Sequence, residues 1–369
     1  MPEAENRGLD LSLPRKKTRV VDVGGVKIGG NFPVVVQSMT ACDTRDVAST
    51  LGQIRMLEKA GCEIVRVAVP DEAAAAAIKE IRSGITIPLI ADIHFRADLA
   101  VMAMNNGADA IRINPGNIPV EGIRRIVSEA KRNKKVIRVG VNSGSLEKDI
   151  ALRHRGPTAP ALVESALRNI RLLEEMDFTD MKLSLKSSDV ATTIEAYRSI
   201  SALTDYPLHL GVTEAGTLLQ SAIKSALGIG ALLYEGIGDT IRVSITGDPL
   251  QEMGVAFGIL RALKLRNVGP EIISCPTCGR CEIDLVSLTS QVEEKLKGMK
   301  TPLTIALMGC VVNGPGEAAE ADIGIAGGKG SGMLFKKGVV VRKLREDEFV
   351  PVLLEEIRLL AGENGGSQK

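Results

Sequence analysis

One pattern limits what this chain can fold into. Short apolar runs that read as buried strands recur from residue 33 onward, each followed by a stretch with the i, i+3, i+4 apolar spacing of an amphipathic helix. The runs are PVVVQSM, EIVRVAV, IPLIADI, DAIRINP, KVIRVGV, MKLSLKS, PLHLGVT and DTIRVSI, eight in all, with helical stretches such as RDVASTLGQIRMLEKAG and VEGIRRIVSEAKRN between them. Eight alternations are what a (β/α)8 barrel requires, with an open doubly wound sheet as the competing arrangement. The barrel is expected over 30–265.

The flanking segments complete the plan. VVDVGGVKIGG at 20–30 reads as a hairpin ahead of the first barrel strand, covering the barrel floor, so 1–29 forms an N-terminal segment and hairpin; its Gly pairs are turn signals and not a phosphate loop. RGPTAPA near 155–161 marks a long connection after the fifth strand, and NVGPEIISCP near 267 marks a boundary. Beyond it, 266–369 carries strands at EIIS, TIALMG, ADIGIAG and GVVVRKL and helices near 282–297 and 346–361, the outline of a small α/β domain. At 369 residues the chain exceeds what one core usually serves, which agrees with two domains.

Composition narrows the function classes. Aromatic residues make up 2% with no Trp, which argues against base-stacking surfaces, and a net charge of +1 gives no bulk attraction to nucleic acid. The N-terminus lacks an apolar signal core and no run of 18 apolar residues occurs, so a cytoplasmic protein is expected. In that reducing compartment the six cysteines read as metal ligands, catalytic groups or small core residues, with Cys42 and Cys62 in the last class. The RKKTR run at 15–19 reads as a solvated surface segment.

Strand alternation exposes a charge pattern. The period-two rule puts Arg112 with Asn114, Arg138 with Asn142, Arg242 with Ser244, and Lys186 with Ser184 on common strand faces, and EIVRVAV adds Arg66. Five strands thus present a cation near their C-terminal ends, where the active sites of such barrels lie. An unpaired cation inside a barrel costs several kcal/mol. Internal salt bridges with Asp92, Glu214 and Asp239 are one explanation; a bound polyanion such as a diphosphate accounts for the remaining positive charge. His94 shares a face with Asp92 and reads as a substrate contact, whereas His209 has the opposite parity to Glu214 and does not. Glu214 in GVTEAG directly follows the seventh strand and is the best-placed carboxyl for proton transfer.

SCPTCGRCEIDL at 274–285 sets Cys275, Cys278 and Cys281 at C-x2-C-x2-C spacing, which fits either zinc or an iron–sulfur cluster. A zinc ribbon wants a second C-x2-C or a histidine pair, and only Cys310 follows; a ferredoxin run wants a fourth cysteine soon after Cys281, and none comes. MGCVVNGPGEAAEADIGIAGG at 308–328 ends an apolar strand at Cys310, turns at NGPG and places Glu317 seven residues on. Its glycines would let backbone amides approach a cluster.

Taken together, VQSMT and DTRDV at 37–47, ADIHF at 91–95, RINPGN at 112–117, VGVNSGS at 139–145, GVTEAG at 211–216, SCPTCGR at 274–280 and GCVVNGPGE at 309–317 resemble the 4-hydroxy-3-methylbut-2-enyl diphosphate synthase family over nearly the whole chain. The resemblance implies an iron–sulfur oxidoreductase of the non-mevalonate (MEP) isoprenoid pathway. Its reaction is the reductive ring opening and dehydration of 2-C-methyl-D-erythritol 2,4-cyclodiphosphate to (E)-4-hydroxy-3-methylbut-2-enyl diphosphate. It implies a [4Fe–4S] cluster held by Cys275, Cys278, Cys310 and Glu317, and a diphosphate held by Arg66, Arg112, Arg138, Lys186 and Arg242 with Asn114, Asn142, Ser244 and His94. Glu214 would protonate the departing hydroxyl, and Glu317 would be the exchangeable ligand. A homodimer, with the cluster domain of one subunit capping the barrel of the other, and reduced flavodoxin or ferredoxin as electron donor are also implied. Cys281 departs from the family motif CPTCGR, and reads as a spare thiol or as an alternative ligand. A non-enzymatic electron carrier and a zinc-stapled barrel hydrolase or aldolase are the rival classes.

Overall fold

A computed structural model describes residues 14–310 and 319–365, in two units, Met1–Arg266 and Asn267–Lys369. In the first unit, strands β1 (Val21–Val23) and β2 (Val26–Ile28) form the expected antiparallel hairpin, with Val21 opposite Ile28. Its turn residues Gly24 and Gly25 both have positive φ, the geometry that a two-residue hairpin turn needs and that glycine supplies without a Cβ penalty. Val21, Val23 and Ile28 bury against Val35, Ile64, Ile90, Ala110 and Val136, at the start of five barrel strands. The hairpin is therefore an apolar plug in the N-terminal end of the barrel, with little or no water left to it.

Those strands are β3 (Val35–Met39), β4 (Ile64–Ala68), β5 (Leu89–Asp92), β6 (Ala110–Ile113), β7 (Val136–Asn142), β8 (Met181–Lys186), β9 (His209–Leu210) and β10 (Thr240–Ile241). All neighbours are parallel in the order β8-β7-β6-β5-β4-β3-β10-β9. A parallel bridge between Leu183 and Leu208 joins the two ends, so the sheet is a barrel and not an open doubly wound sheet. β9 and β10 keep only two residues each of the seven-residue runs PLHLGVT and DTIRVSI. Just past β9, a Cβ on Gly211 would stand 2.7 Å from the Arg242 carbonyl oxygen and 2.6 Å from Lys186 Nζ, so the chain there passes against its neighbour instead of pairing regularly.

Helices cover the outside, and the loops at the C-terminal mouth are fixed by capping. Asp46, Asp71 and Asp189 each accept the N–H three residues on, at the starts of helices Val47–Lys59, Glu72–Ser83 and Val190–Leu203. The long connection after β7 holds a short helix, Lys148–Arg153, before helix Ala159–Glu174.

The RKKTR run is not simply solvated. Arg15 donates to Asp239 Oδ1 at 3.1 Å, Lys16 to the Thr204 carbonyl at 2.6 Å, and Arg19 to Asp205 at 2.8 Å while its guanidinium stands 4.4 Å from the Tyr206 ring centre. A segment read as free is thus a strap, because its cations find carbonyls and carboxylates that only the folded chain brings together.

In the second unit, β11 (Glu271–Ser274), β12 (Thr304–Met308) and β13 (Ile323–Gly328) run parallel, and β14 (Ser331–Lys336) and β15 (Val339–Arg345) complete the sheet antiparallel. Helices Leu285–Leu296 and Phe349–Gly365 bury Leu288, Val292, Leu353 and Ile357 with Ile305, Leu307, Ile323 and Ile325 of the sheet. β14, SGMLFK, escapes the sequence pattern because it opens on Ser331 and Gly332 and its apolar residues run together without alternating. Gly332 is small for packing: a Cβ there would meet the Phe349 ring at 2.7 Å.

Candidate active site

Above the plugged floor the barrel interior turns polar. Asp92, Arg112, Arg138 and Lys182 are paired in succession across β5, β6, β7 and β8, so the side chains follow one another around the wall. Arg66 joins them from β4, with Nε 3.8 Å from Asp92 Oδ2, while Arg112 Nη1 stands 3.2 Å from Oδ1. Burial opposes the charge of Asp92, but Arg66, the His94 imidazole, Arg112 and Arg138 outweigh it and hold the carboxyl well below the usual range. Space for these long side chains comes from Gly140, where a Cβ would stand 2.5 Å from Arg112 Nε.

The opposite side of the wall is organised by one carboxylate. Glu252, on helix Leu250–Ala262, accepts from Arg242 Nη2 at 2.9 Å and Nε at 3.2 Å and from Ser38 Oγ at 2.8 Å. Arg242 also donates to Ser244 Oγ at 2.7 Å. Burial raises the Glu252 pKa against the pull of Arg242, and burial lowers that of Arg242. A buried bidentate pair of this kind fixes a guanidinium plane more than it adds stability.

The remaining bases face no such partner. Lys186 Nζ lies 3.2 Å from His209 Nε2, whose Nδ1 is 2.5 Å from Thr240 Oγ1. Burial first, and then the neighbouring cations, pushes the pKa values of Lys186 and His209 well down, so the imidazole is neutral. Arg138 is 2% exposed and its Nε has no hydrogen-bond partner, as is true of Arg112 Nε. Among the described residues two carboxylates, Asp92 and Glu252, thus serve a cluster that contains Arg66, Arg112, Arg138, Lys182, Lys186 and Arg242. The site is built to receive negative charge from outside.

Several sequence expectations change here. Asp239 does not neutralise the mouth: it is held by the Leu208 N–H at 2.8 Å, Thr18 at 2.9 Å and Arg15, beside the start of β10. Glu214 is exposed and pairs with none of these cations among the described residues, but its φ of +51° is a strained value for a glutamate, the kind of cost that functional loops carry. Asn114 is engaged locally, accepting from the Gly116 N–H at 3.2 Å and donating to the Ser145 carbonyl at 3.0 Å. Asn142, in the orientation that satisfies its amide, accepts from Arg112 Nη2 at 3.1 Å. His94 is 47% exposed at the rim with Nε2 3.0 Å from Arg112 Nη1, so it can reach both Arg112 and an incoming ligand.

Sequence reasoning missed Lys182, His209 and Glu252. Lys182 was available from the alternation that gave Lys186. The parity of His209 with Glu214 is no guide to its direction, because β9 ends at Leu210. Glu252 carried no local signal, since only the closed barrel brings its helix beside Arg242. A wide groove of about 1400 Å³ lined by Phe95, Ile118, Val120, Val163, Leu167 and Leu172 lies outside the barrel and holds none of the inward cations.

In the second unit the cysteines gather at the C-terminal ends of two adjacent strands. Ser274 is paired with Leu307, so Cys275 and Cys310 leave the sheet close together; the Cys275 N–H donates to the Leu307 carbonyl at 3.3 Å, and Cys275 Sγ accepts the Gly309 N–H at 3.2 Å. Cys278 is exposed, and hydrogen bonds from the Arg280 backbone and side chain lower its pKa. Cys281 turns inward, with Sγ donating to the Ile283 carbonyl at 3.3 Å and packing where a Cβ on Gly309 would stand, 2.5 Å away. Among the described residues no three His, Cys, Asp or Glu side chains close around a cation, and Glu317 lies outside the described residues. The donor chemistry nonetheless fits an iron–sulfur group: iron takes thiolates, an amide donating to Cys275 and the Arg280 contacts at Cys278 favour them, and Cys281 is already engaged elsewhere.

The comparisons with known proteins cover both units. A model described as the GcpE TIM-barrel domain matches residues 18–257, and one described as the GcpE protein C-terminal domain matches 271–359. A protein of Nitratidesulfovibrio vulgaris named 4-hydroxy-3-methylbut-2-en-1-yl diphosphate synthase (flavodoxin) is 59% identical over 336 residues, 91% of this chain and 87% of its own. One of the same name from Caldanaerobacter subterraneus subsp. tengcongensis is 57% identical over 350 residues, 95% of this chain and 99% of its own. Among solved structures, a Xanthomonas albilineans dihydropteroate synthase aligns with 67% of this chain and 99% of its own at 12% identity and TM-score 0.47, too distant to carry an argument.

Proposed function

This chain belongs to the GcpE family, and from that premise we propose that its reaction is that of its curated relatives. It is an oxidoreductase that opens and dehydrates 2-C-methyl-D-erythritol 2,4-cyclodiphosphate to (E)-4-hydroxy-3-methylbut-2-enyl diphosphate in the non-mevalonate route to isoprenoids. The observation that carries the reading is the excess of inward cations over carboxylates in the barrel wall.

The division of labour follows from the chemistry. The barrel, 30–265, is the substrate domain, and 266–369 is the cluster domain. Arg66, Arg112, Arg138, Lys186 and Arg242 hold the two phosphoryl groups, with Asn142, Ser244 and His94 at the rim and Asn114 keeping the Pro115–Asn117 turn beside them. Two electrons and one proton are consumed: the C2–O bond to phosphate breaks, the C3 hydroxyl leaves as water, and a C2–C3 double bond forms. Bond breaking adds one negative charge to the diphosphate. Fixed guanidinium groups therefore bind the opened form better than the cyclic one, and so favour the transition state. Glu214, on its strained turn, supplies the proton to the departing hydroxyl.

Cys275, Cys278, Cys310 and Glu317 are the residues that would hold a [4Fe–4S] cluster, with Cys281 left out. The chemistry such a cluster supplies when bound is single-electron delivery and, at the carboxylate-held iron, Lewis acidity. Reduced flavodoxin, named in the relatives' titles, or ferredoxin is the donor, a homodimer is the working form and the cytoplasm its compartment. No helix among the described residues is long and apolar enough to cross a membrane. The test is an anaerobic assay of cluster-loaded protein with the cyclodiphosphate and a strong reductant. The linear allylic diphosphate is the expected product, and its absence contradicts the reading.

A further inference from the structure

Lys182 is an inward base of the wall to which the proposed function gives no role. It sits on β8 in register with Arg138, is 0% exposed, and its Nζ has no hydrogen-bond partner. The charged groups that act on it are Arg138 on β7 and Arg66 on β4, and it acts in turn on His209 of β9; the Tyr197 hydroxyl, from the helix outside, is already bonded to the Leu185 N–H and the His209 carbonyl. Among the described residues no carboxylate acts on it: Asp92 and Glu252 are taken up by Arg66, Arg112 and Arg242. A charged amine in that position has only repulsion and lost hydration, and it stays neutral for that reason. A dianion seated among the cations above it reverses the balance.

We propose that Lys182 completes the anion site from below, taking up a proton as the cyclodiphosphate binds, so that substrate binding is coupled to proton uptake. The inference rests on the diphosphate reading given above. The sign follows from linkage. An amine that is neutral in the free protein and charged in the complex has its pKa raised by the ligand, so uptake occurs only between the free and bound pKa values, and there affinity falls as pH rises, by up to tenfold per pH unit. The substrate does not mask this, because each phosphorus of the cyclic diphosphate carries a single strongly acidic oxygen, ionised throughout the neutral range.

The experiment is calorimetry on oxidised, cluster-loaded protein under anaerobic conditions without reductant. The cyclodiphosphate is titrated in buffers of different ionisation enthalpy between about pH 6 and 9, for the wild type and Lys182→Met. The wild type is expected to take up protons on binding, and K182M about one fewer at the pH of greatest uptake. Met matches the length of the buried chain and removes an unpaired amine, so K182M is expected to melt no lower than the wild type. Binding without uptake by the wild type overturns the inference by itself, whatever the variant does, and equal uptake by both proteins assigns the proton elsewhere. No binding at all overturns the diphosphate reading, and this inference with it.

Discussion

The two polar regions of the molecule are made in opposite ways. In the barrel wall, Asp92 and Glu252 each lock arginines from other elements, the strands beneath rest on a plugged apolar floor, and Gly140 and Gly211 leave room for the side chains that cross. The cysteines of the second unit hang from the ends of β11 and β12 with a few backbone bonds, and Cys278 is exposed. One region is organised before any ligand arrives; the thiols of the other sit in loops past the strand ends. The difference matches the tasks assigned to them: an anion site gains from fixed charge, whereas thiolate ligands bind strongly enough to order their own loops.

Substitutions can break that contrast from either side. The largest effect is expected from Cys275→Ala, Cys278→Ala or Cys310→Ala, each of which should empty the cluster and lower turnover by about a thousandfold or more while the barrel keeps its fold, as read from iron content and circular dichroism. Arg138→Met comes next. It should weaken the cyclodiphosphate by about a hundredfold, two charge-assisted contacts' worth, with the cluster absorbance unchanged.

Glu252→Gln tests organisation by the fold. Arg242 would be left buried without its counter-charge, at a cost of about 3–5 kcal/mol, and a melting temperature within a degree of wild type would mean that the pair organises nothing. Asp92 gives a pH signature. Its folded pKa is depressed, so its contribution is present above the unfolded value of about 3.9 and is lost as pH falls toward the folded one; Asp92→Asn should therefore destabilise the protein more at pH 7 than at pH 3 in denaturant titrations. The smallest effect belongs to Cys281→Ser. Iron content should stay at the wild-type level, because the thiol packs on the Gly309 turn and bonds to Ile283.

The same contrast explains what the sequence could disclose. Alternation inside apolar strands is a local signal, and it discloses the barrel and the inward faces of Arg66, Arg112, Arg138 and Lys186. It held Lys182 as well, in the very run MKLSLKS that yielded Lys186. Glu252 was beyond it, because a helix carboxylate becomes part of the wall only when the barrel closes around Arg242. Asp239 misled for the converse reason: nearness in sequence to Arg242 said nothing about which end of the barrel it would serve. In the second unit the C-x2-C-x2-C spacing invited a three-thiol site, yet Cys281 bonds inward, an orientation set by the packing against Gly309 and Ile283 that spacing does not encode.

The central claim is that the barrel binds the substrate and the cysteines bind the redox group, independently enough to be separated. The direct measurement is the dissociation constant of the cyclodiphosphate for cluster-free Cys278→Ala and for cluster-loaded Arg138→Met, without reductant. The account predicts that the first stays within about tenfold of wild type and the second weakens by about a hundredfold with its iron intact. Loss of binding in Cys278→Ala as severe as in Arg138→Met would contradict it.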